Sequence, residues 1–167
     1  MRTFVLLPVY RAGLPFVSLH PGYHIMLIGQ YEHSLDAKGR MTLPADYAGE
    51  LAAGVVLTRG MEGCIYMFPQ AEFEKLSNRV RELAFTDPKA RKFRRQLFPQ
   101  AHGAQPDRQR RVLIPQWLRD HAAISDKVVI AGMDFYAELW SPEAWEAQDQ
   151  ALELDLADES FFAGLGV

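Results

Sequence analysis

The sequence predicts an α+β protein, mainly β, assembled from two copies of one small unit. Three observations lead there. First, "HSLDAKGRMTLP" (33–44) and "AQPDRQRRVLIP" (104–115) share Asp, three residues, Arg, a short apolar run and Pro. Second, the matching positions keep one offset: Asp36 to Asp107, Arg40 to Arg111, Leu43 to Ile114 and Pro44 to Pro115 are each 71 residues apart. Third, the likeness runs on downstream, "VVLTRG" (55–60) matching "VVIAG" (128–132) and "FPQAEF" (68–73) matching "SPEAW" (141–145).

Taken in chain order, residues 1–25 are apolar, rich in Pro and Gly and without acids, and Pro8, Tyr10, Arg11 and Pro15 interrupt any signal-peptide core. They are expected to form a flexible extension, with Met26 as an alternative start; N-terminal mass spectrometry of native protein beginning at Met1 would exclude the later start. Tyr31, His33 and Leu35 alternate with polar neighbours as a strand does. Pro44 and Pro115 precede "ADYAGEL" and "QWLRDHAAI", where a proline at the first helical turn sacrifices no hydrogen bond. "VVLT" and "CIYMF" are β-branched or aromatic runs separated by Gly60 and Gly63, the pattern of a hairpin. Each unit thus orders as strand, turn, strand, short helix, strand, turn, strand, helix. Between the units, Phe73, Leu76, Val80 and Leu83 form one helical stripe, and after "TDP" Ala90, Phe93 and Leu97 form a second. Beyond Trp145 comes an acidic tail whose Leu152, Leu154 and Leu156 follow no clear period. The expected divisions are an extension 1–25, a first domain 30–77, a helical insert 78–103, a second domain 104–147 and a tail 148–167.

Composition narrows the function. With 49% hydrophobic and 23% charged residues, the 167-residue chain has material for a core. The single Cys64 forms no internal disulfide, which fits a reducing cytoplasm. The net charge of -3 is unevenly spread: eight Lys or Arg between Lys89 and Arg111 face one acid, a net of +7, whereas the chain after Lys127 carries -9. That asymmetry suggests one face for an anion and another kept away from it. The run 89–95 taken alone reads as solvated helix surface.

No enzyme is expected. His33 and Ser34 are strand neighbours and point to opposite faces, so "HSLD" makes no nucleophilic triad. His20 and His24 flank Pro and Gly and cannot form a helical metal pair, and there is no Walker or dinucleotide loop. No metal, cofactor or membrane span is expected. Trp117, Trp140 and Trp145 are read as core or subunit-interface aromatics, and Cys64 as a small buried residue.

The paired turns carry the functional reading. Asp36 and Asp107 can each accept backbone N–H groups two or three residues on, fixing a loop. Gly39 supplies the positive φ of a short turn, leaving Lys38 at the tip and Arg40 on the returning strand. Arg110 stands where the first copy has Gly39; a non-glycine there is strained, so the second turn is expected to differ in shape while gaining charge from Arg108, Arg110 and Arg111.

The two Asp-x-x-x-Arg turns, the "YEHSLDAKGRMTLP" start and the "LTRGMEGCIYMFP" hairpin together resemble the MraZ family of bacterial proteins with tandem AbrB-type domains, from about Met26 to the region of Trp145. The resemblance implies two swapped-hairpin half-barrels pairing within one chain as a pseudo-dimer. It further implies a cytoplasmic, nucleoid-associated homo-oligomeric ring. Such a ring binds double-stranded DNA at direct repeats upstream of the division and cell-wall gene cluster, typically as a repressor. Carried over residue by residue, Arg40 leads with Lys38 beside it, and Arg111 takes the corresponding place, supported by Arg108 and Arg110. Lys and Arg displace counterions from phosphates, and an Arg fork can bond guanine O6 and N7. With only two turns per chain, several subunits engaging repeated sites would supply affinity. A ring-forming scaffold without sequence-specific DNA binding is the alternative; the intact Asp36–Arg40 loop favours the regulator. A single-motif antitoxin relative is a weaker third, disfavoured by the tandem repeat.

Overall fold

The protein is described by a computed structural model covering residues 26–157. The first copy supplies β1 (Gln30–Ser34), β2 (Arg40–Thr42), a 3-10 turn (Ala45–Tyr47) running into α1 (Ala48–Leu51), β3 (Val55–Arg59), β4 (Ile65–Pro69) and α2 (Gln70–Glu82). After α3 (Pro88–Leu97) the second copy repeats the series as β5 (His102–Ala104), β6 (Arg111–Leu113), α4 (Gln116–His121), β7 (Lys127–Gly132), β8 (Ala137–Trp140) and α5 (Pro142–Leu156). The short helices begin where the prolines place them: Pro44 and Pro115 cap at φ -52° and -54°. The Asp87 carboxylate accepts from Lys89 N at 2.8 Å to start α3, and Ser141 Oγ accepts from Ala144 N at 3.2 Å to start α5.

The strands exchange between copies. The six-stranded antiparallel sheet runs β1-β7-β8-β4-β3-β5, and β2 pairs with β6 in a separate ladder. Thus the first strand of each copy lies on the third strand of the other: β1 on β7 from Gln30↔Ala131 to Ser34↔Lys127, and β5 on β3 from Val55↔Ala104 to Leu57↔His102. Exchanging the labels of the copies reads the strand order backwards, which defines a pseudo-twofold axis. In the small ladder that axis passes the pair Met41↔Val112, with Arg40 opposite Leu113 and Thr42 opposite Arg111. The implied swapped pseudo-dimer is the architecture found.

One core serves both copies. Met41, Val112, Ile114, Leu57, Ile130 and Leu139 are fully buried in it, with Leu43 and Tyr47 beside them. Neither half buries this set alone, because the apolar side chains of β2 and β6 face the same interior. Burial of such side chains contributes roughly 1.5–3 kcal/mol each, so the copies are stable together rather than singly.

Two of the expected divisions meet different elements. The stretch beyond Trp145, read as an acidic tail with no structure assigned, is helical to Leu156, and Leu152, Leu154 and Leu156 are exposed on α5. An exposed helix needs no apolar period, which is why their spacing gave no signal. At the expected insert 78–103, α2 already begins at Gln70 and β5 starts at His102. The extension 1–25 lies outside the described residues.

Candidate nucleic-acid interface

Each turn is shaped by its aspartate. In the first, Asp36 Oδ1 accepts from the backbone N–H of Lys38 at 2.9 Å and of Arg40 at 3.0 Å, while Oδ2 accepts from Arg40 Nε at 2.7 Å. Backbone bonds close the loop, Gly39 N to Asp36 O at 2.8 Å and Asp36 N to Arg40 O at 2.9 Å. In the second turn Asp107 Oδ1 accepts from the N–H of Gln109 and Arg111, both at 2.9 Å, and Oδ2 from Arg111 Nε at 2.8 Å. Arg110 N reaches Asp107 O at 2.8 Å, and Asp107 N reaches Arg111 O at 3.0 Å.

The turns therefore match bond for bond, which overturns the expected difference in shape. Arg110 takes φ 58° where Gly39 takes 76°. A left-handed residue with a Cβ costs roughly 1–2 kcal/mol, and the three hydrogen bonds accepted by Asp107, together with the backbone closure, hold it there. Glycine eases this turn but does not create it.

The two turns lie side by side. Gly39 O accepts from Ile114 N at 3.0 Å and Arg110 O accepts from Leu43 N at 2.8 Å, extending the β2–β6 ladder to both loops. Four charges meet there. Arg40 Nη2 is 2.7 Å from Asp36 Oδ2 and its Nη1 3.7 Å from Asp107 Oδ2; Arg111 Nη2 is 2.7 Å from Asp107 Oδ2 and its Nη1 3.8 Å from Asp36 Oδ2. The hydrogen bond from Arg40 holds the Asp36 carboxyl down to about 2, and that from Arg111 does the same for Asp107. The cluster is neutral in sum and locks the loops together.

Around it stand cations with no ion pair to the described residues. Lys38, Arg108 and Arg110 are exposed, whereas Arg40 and Arg111 are partly covered, with side-chain exposures of 29% and 27%. The structure thus brings all five expected cations to one patch, in two roles: three at the loop tips and two inside the clamp. A sixth cation was not foreseen. Half-buried Arg119, on α4 of the second copy, lays its guanidinium against the first turn, where a Cβ on Gly39 would meet Cζ and Nη2 at 2.8 Å. Its Nε donates to Ile114 O at 3.1 Å and its Nη2 to Gln116 Oε1 at 2.6 Å. At the 71-residue offset Arg119 corresponds to Ala48, a substitution visible in the repeat once the turn is known to abut that helix.

The 89–95 run has a structural share. Arg94 Nη2 donates to Val80 O at 3.0 Å and Leu83 O at 2.7 Å, and Arg91 Nη1 to Phe85 O at 3.1 Å and Thr86 O at 2.7 Å. These bonds cap the end of α2 and fix the link to α3, leaving Lys89, Lys92 and Arg95 exposed. His33 is likewise structural, its Nδ1–H directed at Thr42 O. Burial pushes the Cys64 thiol up to about 12, away from nucleophilic chemistry. Trp140 is buried against Trp145, while Trp117 is more exposed.

A strand-exchanged, internally duplicated sheet whose two acid-anchored turns converge on one patch defines a tandem AbrB-type pseudo-dimer. The family described as "MraZ protein, putative antitoxin-like" matches in two tandem stretches, residues 26–96 and 97–162. Among similar curated proteins, Transcriptional regulator MraZ of Salinispora arenicola is 42% identical over 133 residues, covering 80% of this chain and 94% of that one. Transcriptional regulator MraZ of Roseiflexus castenholzii is 41% identical over 138 residues, covering 83% and 94%, and that of Leifsonia xyli 43% over 121 residues, covering 72% and 85%. The chain belongs to the MraZ family, and its function falls in the class those relatives name, transcriptional regulation.

Proposed function

We propose that the protein is a sequence-specific DNA-binding repressor that acts in the cytoplasm, on the nucleoid, at direct repeats upstream of its own gene in the division and cell-wall cluster. The observation that carries this reading is the patch formed by the two turns. Lys38, Arg108 and Arg110 project from loops whose backbones are fixed by Asp36 and Asp107. Exposed tip cations attract phosphates and set position; they carry no sequence information. Arg40 and Arg111 differ, because each guanidinium is already oriented by its aspartate while its side chain stays partly exposed to meet a base edge. Pre-orientation lowers the entropic loss on binding a guanine.

Two turns give one chain a small footprint, so assembly into a homo-oligomeric ring engaging several repeats at once supplies the affinity. Among the described residues no helix is long and apolar enough to cross a membrane.

Fluorescence anisotropy tests the reading on the DNA upstream of the gene and on a scrambled duplex, at two salt concentrations. The parent is expected to prefer the upstream duplex, Arg40→Ala to lose that preference, and Arg111→Ala to weaken it. Equal, weak binding of the parent to both duplexes would instead support the scaffold, in which the clamp serves only to hold the copies together.

A further inference from the structure

Gly39 and Arg110 occupy the same place in the two turns, and so do Arg119 and Ala48 in the two short helices, by the same 71-residue offset. The structure shows why these differences come as a pair. Arg119 covers Gly39 so closely that Gly39 is buried, and any side chain there would displace the guanidinium. On the second turn Arg110 is exposed, and the helix position related to Arg119 is the small Ala48. One side has Gly beneath Arg, the other has Arg in the turn and Ala at the equivalent helix position.

We propose that Arg119 and Arg110, both supplied by the second copy, fill one functional position at the two turns, each setting a phosphate-binding cation beside a turn. They do so with different freedom. Arg119 is tied through Nε to Ile114 O and through Nη2 to Gln116 Oε1, and its Nη1 has no hydrogen bond to the described residues and remains for a ligand. Arg110 has its backbone fixed and its side chain in solvent. The patch is thereby cationic on both sides of the pseudo-twofold axis, with a hydrogen-bonded guanidinium by the first turn and a solvent-exposed one by the second. A face of that kind has a direction, so the chain has one preferred orientation on a duplex although its fold is nearly symmetric. This inference rests on the DNA-binding reading above and adds to it a residue and a polarity.

The decisive experiment exchanges the pair. Binding to the upstream and scrambled duplexes is measured across a salt series for the parent, Arg119→Ala, Arg119→Gln and the double variant Gly39→Arg/Arg119→Ala, with thermal unfolding as a check on folding. Each phosphate contact contributes about 0.9 to the slope of log K against log salt. Loss of Arg119 is expected to lower the slope by about that amount, in the glutamine variant as in the alanine one, and the exchange to restore it. A dye placed on one end of the duplex, with an acceptor on one turn, should report a single orientation for the parent and a mixture for the exchanged protein. An unchanged slope in folded Arg119→Ala or Arg119→Gln would show that Arg119 only covers Gly39 and would overturn the proposal. So would an exchange that folds and leaves the slope low. A parent without preference for the upstream duplex sinks the regulator reading instead, and the slopes on either duplex still decide the role of Arg119.

Discussion

The turn from Asp36 to Arg40 and the turn from Asp107 to Arg111 have the same hydrogen bonds and opposite chemistry at one position. Gly39 lies buried at φ 76° beneath Arg119, whereas Arg110 stands exposed at φ 58°. The comparison separates what shapes such a loop from what it presents. The carboxylate shapes it, by accepting two backbone N–H groups and one guanidinium in each copy. The left-handed position decides only whether charge comes from the turn or from the neighbouring helix.

The largest effect should come from breaking both turns at once. Met41 is fully buried on the pseudo-twofold axis opposite Val112. Met41→Ala is expected to destabilise the protein by about 2–5 kcal/mol in urea unfolding, with amide exchange rising in both turns together. Exchange rising in the first turn alone would mean that the clamp does not couple them.

Next come the two single-site tests of the left-handed residue, which should have opposite signs. Gly39→Ala adds a Cβ at positive φ and pushes on Arg119, for a loss of roughly 1–2 kcal/mol. Arg110→Gly relieves that strain and gives back some of it to the flexibility of the unfolded chain, for a net gain of about 0.5–1 kcal/mol. The same change should reduce the salt slope of DNA binding by about 0.9, so stability and binding move in opposite directions. Calorimetry beside the anisotropy series measures both.

The smallest effect at neutral pH is the acid response of the clamp. Asp36 and Asp107 are each lowered from 3.8 to about 2, first by the hydrogen bond from their arginines. A lowered carboxyl favours the folded state while ionised, so its contribution is complete above about pH 4 and is lost as the pH falls through about 2. The melting temperature of the parent should approach that of Asp36→Asn or of Asp107→Asn over this window, and over the same window for both. A window displaced in one variant would show that the turns are electrostatically unequal.

Much of this was legible in the sequence, and the remainder was hidden for physical reasons. The offset of 71 located both turns and both prolines, and at an offset of 73 the strands that follow. Alternation in "YEHSL" showed a strand but not its partner, because side-chain period fixes which face is buried and says nothing of which strand lies alongside. The family resemblance implied a swapped pseudo-dimer, and the pairing of β1 with β7 is seen only in the structure. Arg110 was legible as a strained residue, yet the strength of the Asp107 bonds that hold it was not. Arg119 was missed because it meets Gly39 only through the strand exchange, which places α4 of one copy over the turn of the other. The cations Arg91 and Arg94 looked alike to their neighbours in sequence, and only the positions of the Phe85 and Thr86 carbonyls for the one, and of the Val80 and Leu83 carbonyls for the other, distinguish them.

The strand exchange also sets an order of events during synthesis. The β3–β4 hairpin joins neighbours, Val55 to Pro69 at its outer pair, and can close as soon as it leaves the ribosome. The strand β1 cannot, since Gln30 waits for Ala131 and β2 waits for β6. At ordinary translation rates those roughly 100 residues take about 5–20 s to arrive. Throughout that interval two strands of the nascent chain have unsatisfied edges, open to pairing with another polypeptide. A polysome carrying many such chains would be the place where misassembly begins, and a holding chaperone would act there on the first half of the molecule.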